Sequence, residues 1–90
     1  MYYAADKEIA ERALLDLRAA RFGDRSAALA CLVRLRNEVA GAGRDDYPRM
    51  QAWVSIRKLY DAYRAAPGCD LTPFWQDALA KTDAWSKSLR

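Results

Sequence analysis

The chain contains no histidine. The side chain used most often as a general base near neutral pH, and most often as a metal ligand, is therefore missing. Catalysis would need a carboxylate, Lys, Tyr or Cys with a displaced pKa. No Gly-rich phosphate loop, nucleophile elbow or zinc-ligand spacing occurs either. Thiols are scarce: Cys31 lies within the apolar stretch AALACLV, and Cys69 falls between periodic segments. Two such thiols read as reduced cysteines rather than a disulfide framework, with Cys31 an inert core thiol. The opening residues MYYAADKE lack the basic region and apolar stretch of a secretory leader. The longest apolar run, residues 27–33, is far short of the ~20 residues that span a bilayer. A cytoplasmic protein is the resulting expectation.

β-Branched residues are also few: Ile9, Val33, Val39, Val54, Ile56, Thr72 and Thr82. That is poor material for a sheet. Glycine and proline are sparse and sit between periodic segments. No internal repeat, low-complexity tract or sustained heptad is present. Charge of one sign is not concentrated: fifteen basic and twelve acidic residues leave +3, and no basic run exceeds Arg57-Lys58. Dedicated nucleic-acid binders carry a denser patch. With 52% apolar and 30% charged residues the composition is that of a folded globule, which argues against disorder.

What is present is helical periodicity in four stretches. The first spans residues 6–22: Asp6 can cap it, Ile9, Ala13, Leu17 and Ala20 share a face, and Gly23 ends it. Leu15 points away from that face. The second spans residues 25–40, with Asp24 or Ser26 as N-cap and Ala28, Leu32, Leu35 and Val39 at the centre of its face. Leu29, Cys31 and Val33 widen that face to about half the circumference, more than the ~100° stripe of a surface helix. The width suggests deep burial or a homodimer contact through Leu29, Leu32 and Val33. Arg36 interrupts the apolar arc. A guanidinium there needs a partner, and Asp16 or Asp61 on a neighbouring helix is the expected one.

The third stretch, residues 47–65, follows the break GAGRDDYP, where Asp46 and Pro48 start a helix and Pro67-Gly68 ends it. Gly, Arg, Asp45, Asp46 and Tyr47 in that break could in principle hold Mg²⁺ or a phosphate. Adjacent Asp residues are a weak metal signal, and a solvated loop with a helix cap is the preferred reading. Thr72-Pro73 opens the fourth helix as N-cap and first turn. Phe74, Ala78, Trp85 and Leu89 are its expected inner face, flanked by Trp75 and Leu79, with Thr82 bonding back to a carbonyl one turn earlier. The expected fold is one all-α domain over residues 1–90: four helices with short loops, as an up-down bundle or an irregular globule.

The third helix carries the candidate site. Ile56, Leu59 and Tyr63 belong to the core side. Arg49, Trp53, Arg57, Tyr60 and Arg64 step by threes and fours along an adjoining arc. Arg and large aromatics dominate binding hot spots, though they also form ordinary core margins. The expected function is a non-enzymatic protein–protein interaction module for an acidic or mixed-charge surface, needing no cofactor or metal. Inhibitors, immunity proteins, antitoxins and accessory subunits share this size, and no motif selects among them. The alternative is nucleic-acid binding through the same edge, by phosphate contacts and stacking. A helix-turn-helix fails on spacing, because the break before the third helix is about eight residues against three or four.

Overall fold

A computed structural model describes residues 4–21, 24–41, 47–65 and 70–89. Four helices follow one another: α1 (Ala4–Ala20), α2 (Arg25–Gly41), α3 (Tyr47–Ala65) and α4 (Thr72–Ser88). Among the described residues there is no strand. Each helix packs on its neighbours in sequence, and α4 closes back on α1, while the backbones of the diagonal pairs, α1 with α3 and α2 with α4, stay apart across the core. That ring is an up-down four-helix bundle, the arrangement short connections impose on helices of similar length.

The core runs down the centre as Leu17, Leu32, Leu35, Val39, Ile56, Leu59 and Trp85, all fully buried. Every helix also contributes a fully buried alanine, from Ala10 and Ala13 through Ala28 and Ala52 to Ala78. Small residues facing large ones let the layers interdigitate. At the margin the Tyr63 and Trp75 rings meet edge to face, 6.1 Å apart at 87°, a geometry that the ring quadrupoles favour.

Helix starts show how local chemistry sets the boundaries. Asp24 caps α2, its Oδ1 accepting the Ala27 N–H at 2.7 Å while its carbonyl accepts the Ala28 N–H at 2.9 Å. The side-chain bond satisfies one of the donors that a helix N-terminus leaves orphaned, and the carbonyl accepts the first bond of the helix itself. Asp24→Ala should cost about 1 kcal/mol, or roughly 4–8 °C in Tm for a domain of this size. Thermal unfolding followed by circular dichroism reads this directly, and an unmoved Tm would mean the cap contributes nothing.

Four expectations, two at helix boundaries and two on the face of the fourth helix, are corrected. α1 begins at Ala4, so Asp6 lies inside its first turn, where a carboxylate complements the helix dipole rather than capping the end. Thr72 is the first helical residue, and the N-cap is Leu71, with no side-chain cap. Asp70 supplies the carboxylate instead, accepting the Thr72 N–H at 3.0 Å. Hydrogen bonds from Thr72, aided by the charge of Arg21, hold the Asp70 pKa below its ordinary value. A depressed carboxylate pKa stabilises the fold above the unfolded-state pKa, and that share fades as pH falls through the folded value. On α4 the inner stripe is Trp75, Ala78, Thr82 and Trp85, whereas Phe74 is 39% exposed. The buried set keeps a three-four-three spacing that Phe74 falls outside. Thr82 is fully buried, but its hydroxyl finds no hydrogen-bond partner, so the expected back-bond to the preceding turn is not made. Gly23, Asp45, Asp46, Pro67, Gly68 and Cys69, to which the sequence assigned loop or cap roles, lie outside the described residues.

Candidate groove between the second and third helices

α3 presents its polar-aromatic arc toward α2. Tyr60 is half-buried, and two guanidiniums lie over its ring: Arg36 of α2 at 4.9 Å and Arg64 of α3 at 5.6 Å. One α3 turn before Tyr60, the Arg57 guanidinium lies 5.4 Å over the half-buried Trp53 ring. Each such contact contributes roughly 0.5–1 kcal/mol at an exposed site. A stacked guanidinium is held in orientation, yet its in-plane N–H groups still point outward as a fork for carboxylates.

The electrostatics of the groove follow from who is paired. Arg57 Nε stands 3.9 Å from Asp61, and both side chains are more than half exposed. A surface pair that long contributes little. Arg36 and Arg64 have no carboxylate partner among the described residues. Beyond Arg64, an open depression at the C-terminal end of α3 is lined by Asp61, Arg64 and Ala65.

The expected partner of Arg36 is therefore corrected. Asp16 is bound by Arg34 instead, at 2.9 Å, and Arg34 also reaches Glu38 at 3.3 Å. Two residues apart on a helix means ~200° of rotation, so Arg34 faces α1 while Arg36 faces α3. The Tyr60 ring takes the place of the acid. Cys31, half-buried on the α1 side, points its Sγ at the Asp16 carbonyl at 3.8 Å. Burial pushes this thiol's pKa up, so it stays protonated near neutral pH.

Of the five candidate residues, four share the groove and one does not. Arg49 is 6% exposed, and its Nη1 donates to the Val39 carbonyl at 2.8 Å and the Ala40 carbonyl at 3.3 Å. These are among the last carbonyls of α2, which have no helical partner. Arg49 is thus committed to closing α2 and is withdrawn from the surface. Arg36, in contrast, belongs to the groove although the sequence marked it as a buried pair. The sequence carries part of the signal, since a lone Arg within an apolar arc needs a partner, but an aromatic ring fills that role as well as a carboxylate does.

The surface expected on α2 changes as well. Leu32 is fully buried within the monomer, while Leu29 and Val33 are half-buried. Only the latter two remain available for an external contact. Among the described residues, no group of three or more His, Cys, Asp or Glu side chains comes together as a metal site would require, and no helix is long and apolar enough to cross a membrane. The chain is a small up-down helical bundle with a cationic-aromatic face along α2 and α3. Compared with protein-family models, curated proteins and solved structures, it finds no match.

Proposed function

We propose that this protein is a non-enzymatic binding module that takes an acidic or mixed-charge protein surface onto the α2/α3 face. The observation that carries the reading is the Tyr60 cluster: Arg36 and Arg64 over one ring, with no carboxylate partner among the described residues. Cations oriented but not neutralised within the fold suit forked hydrogen bonding to carboxylates of another protein. Trp53 and Tyr60 would supply the aromatic anchors beneath them.

The second reading, single-stranded nucleic acid, uses the same cations. Its stacking component fits less well. Guanidiniums already lie over the rings of Trp53 and Tyr60, and a base would have to displace them to stack.

A labelled polyglutamate peptide and an oligothymidine of similar length, titrated at low and moderate salt, separate the two readings. The peptide is expected to bind more tightly at low salt. The exposed double substitution Arg57→Glu with Arg64→Glu should weaken it at least about tenfold, or ~1.4 kcal/mol, in a protein that circular dichroism still shows folded at the titration temperature. Tighter binding of the oligothymidine, with a steep salt dependence, would replace the protein reading by the nucleic-acid one.

A further inference from the structure

We infer that the α2/α3 groove seats an acidic amphipathic helix of a partner protein, an inference that rests on the binding role just proposed and specifies the shape of what binds. Two independent periodicities meet in this groove.

On the α2 wall, Leu29, Val33 and Arg36 are all half-buried. They are separated by four and three residues, so they form one stripe. The Arg36–Tyr60 contact shows that this stripe faces α3. Neither Leu29 nor Val33 is among the side chains packed on the buried core. Part of the apolar surface of Leu29 and Val33 is thus left exposed beside the cations.

On the α3 wall, Trp53 and Tyr60 lie seven residues apart, and so do Arg57 and Arg64, offset by four. Seven residues are two helical turns, about 10.5 Å. The wall therefore alternates aromatic and cation with the repeat of a coiled-coil seam, in which apolar positions form the contact and flanking charges set the partner. The complement is a helix with leucine-like residues seven apart and Glu or Asp at the flanking positions. An extended strand repeats its side chains every ~7 Å along one face and does not match a 10.5 Å wall.

Charge decides against a second copy of this chain as the occupant. A two-fold contact places the same patch on both sides of the interface, so Arg36, Arg57 and Arg64 would face one another, with Asp61 the single carboxylate beside them among the described residues. Phosphate, for its part, gains nothing from Leu29 and Val33. The acidic amphipathic helix uses every feature of both walls.

The probes are three peptides of about eighteen residues, enough to run the length of the groove. One is amphipathic, with leucines at a seven-residue repeat flanked by Glu. The second has the same composition scrambled so that no face is apolar. The third is polyglutamate. Binding to the full chain is measured by tryptophan fluorescence and by amide chemical shifts. The amphipathic peptide should bind at least about tenfold more tightly than the other two, shifting the amides of Leu29, Val33 and Arg36 and the Trp53 indole. The double substitution Leu29→Ala with Val33→Ala keeps good helix formers on α2 and should remove that preference while leaving polyglutamate binding in place. Equal binding of the amphipathic and scrambled peptides overturns the groove inference and leaves the acidic-surface reading standing. Binding of no peptide overturns both. A dimer mass in sedimentation that the amphipathic peptide does not disrupt assigns the groove to a second copy and also overturns the inference.

Discussion

Replacing Arg49 by alanine is expected to destabilise the bundle by about 2–4 kcal/mol, whereas Arg57→Ala on the same helix, which loses only a surface contact with the Trp53 ring, should cost no more than about 1 kcal/mol. The contrast follows from what each guanidinium does. Arg49 is buried and donates to the Val39 and Ala40 carbonyls at the end of α2. Those carbonyls carry the negative end of the α2 dipole, which a cation placed there offsets. Removing it leaves the buried Val39 carbonyl without this donor, and a buried acceptor left unpaired costs its full desolvation penalty. Arg57 is more than half exposed, and its nearest carboxylate is 3.9 Å away. A chain of ninety residues has a total stability of about 5–13 kcal/mol, so the Arg49 loss should lower Tm on the order of 10–20 °C. Arg49→Met separates packing from charge: it keeps an unbranched apolar stem but no donor, and should recover only part of the loss. Amide exchange resolves the cause, since protection should fall first in the last turn of α2. A melting temperature for Arg49→Ala within a degree or two of the parent would show that the two carbonyl contacts carry no weight.

Arg49 also marks where the sequence stopped being informative. Spacing placed it on the same arc as Trp53 and Arg57, and its Cα does lie there. What spacing does not specify is the course of a long side chain, whose head group ends several ångströms from its Cα. The nearby α2 terminus drew this one inward. Arg34 and Arg36 differ for a related reason. Both lie on α2, and only knowledge of which neighbour stands on each side assigns Asp16 to one and Tyr60 to the other. Helix number, order and centres were legible because each stretch carries several turns of apolar periodicity. Phe74 against Trp75 was not, because at the first turn of a helix one turn of pattern exists and Pro73 sets the start without setting the face. The groove was half legible. Its α3 wall was read as an edge and its Leu29–Val33 wall as a separate dimer surface, since joining them needs the α2/α3 contact.

At the heart of α4, two adjacent members of one buried stripe should respond to truncation with opposite sign. Trp85 and Thr82 are both fully buried, and both the Trp85 indole Nε1 and the Thr82 Oγ1 lack a hydrogen-bond partner. Trp85→Ala removes the largest buried side chain of the core and should cost about 3–5 kcal/mol, the transfer energy of the ring plus the cavity it leaves. Thr82→Val is nearly isosteric and exchanges the orphaned hydroxyl for a methyl group. The folded state gains because a polar group buried without a partner costs about 1–3 kcal/mol, while Val and Thr have similar helix propensities. An increase of about 1 kcal/mol is expected, roughly 4–8 °C in Tm. Denaturant unfolding of the two variants gives both signs in one experiment. A destabilised Thr82→Val would show that the hydroxyl has a partner, with a buried water the natural candidate. Because the α4 backbone lies beside α1 and α3 and across the core from α2, and Thr82 is buried away from the surface, the valine variant should bind an acidic helical peptide as the parent does. A Thr82→Val protein that is more stable and unchanged in binding would place stability and recognition on different parts of the bundle: the small-and-large core stripe on one side, the cationic-aromatic groove between α2 and α3 on the other.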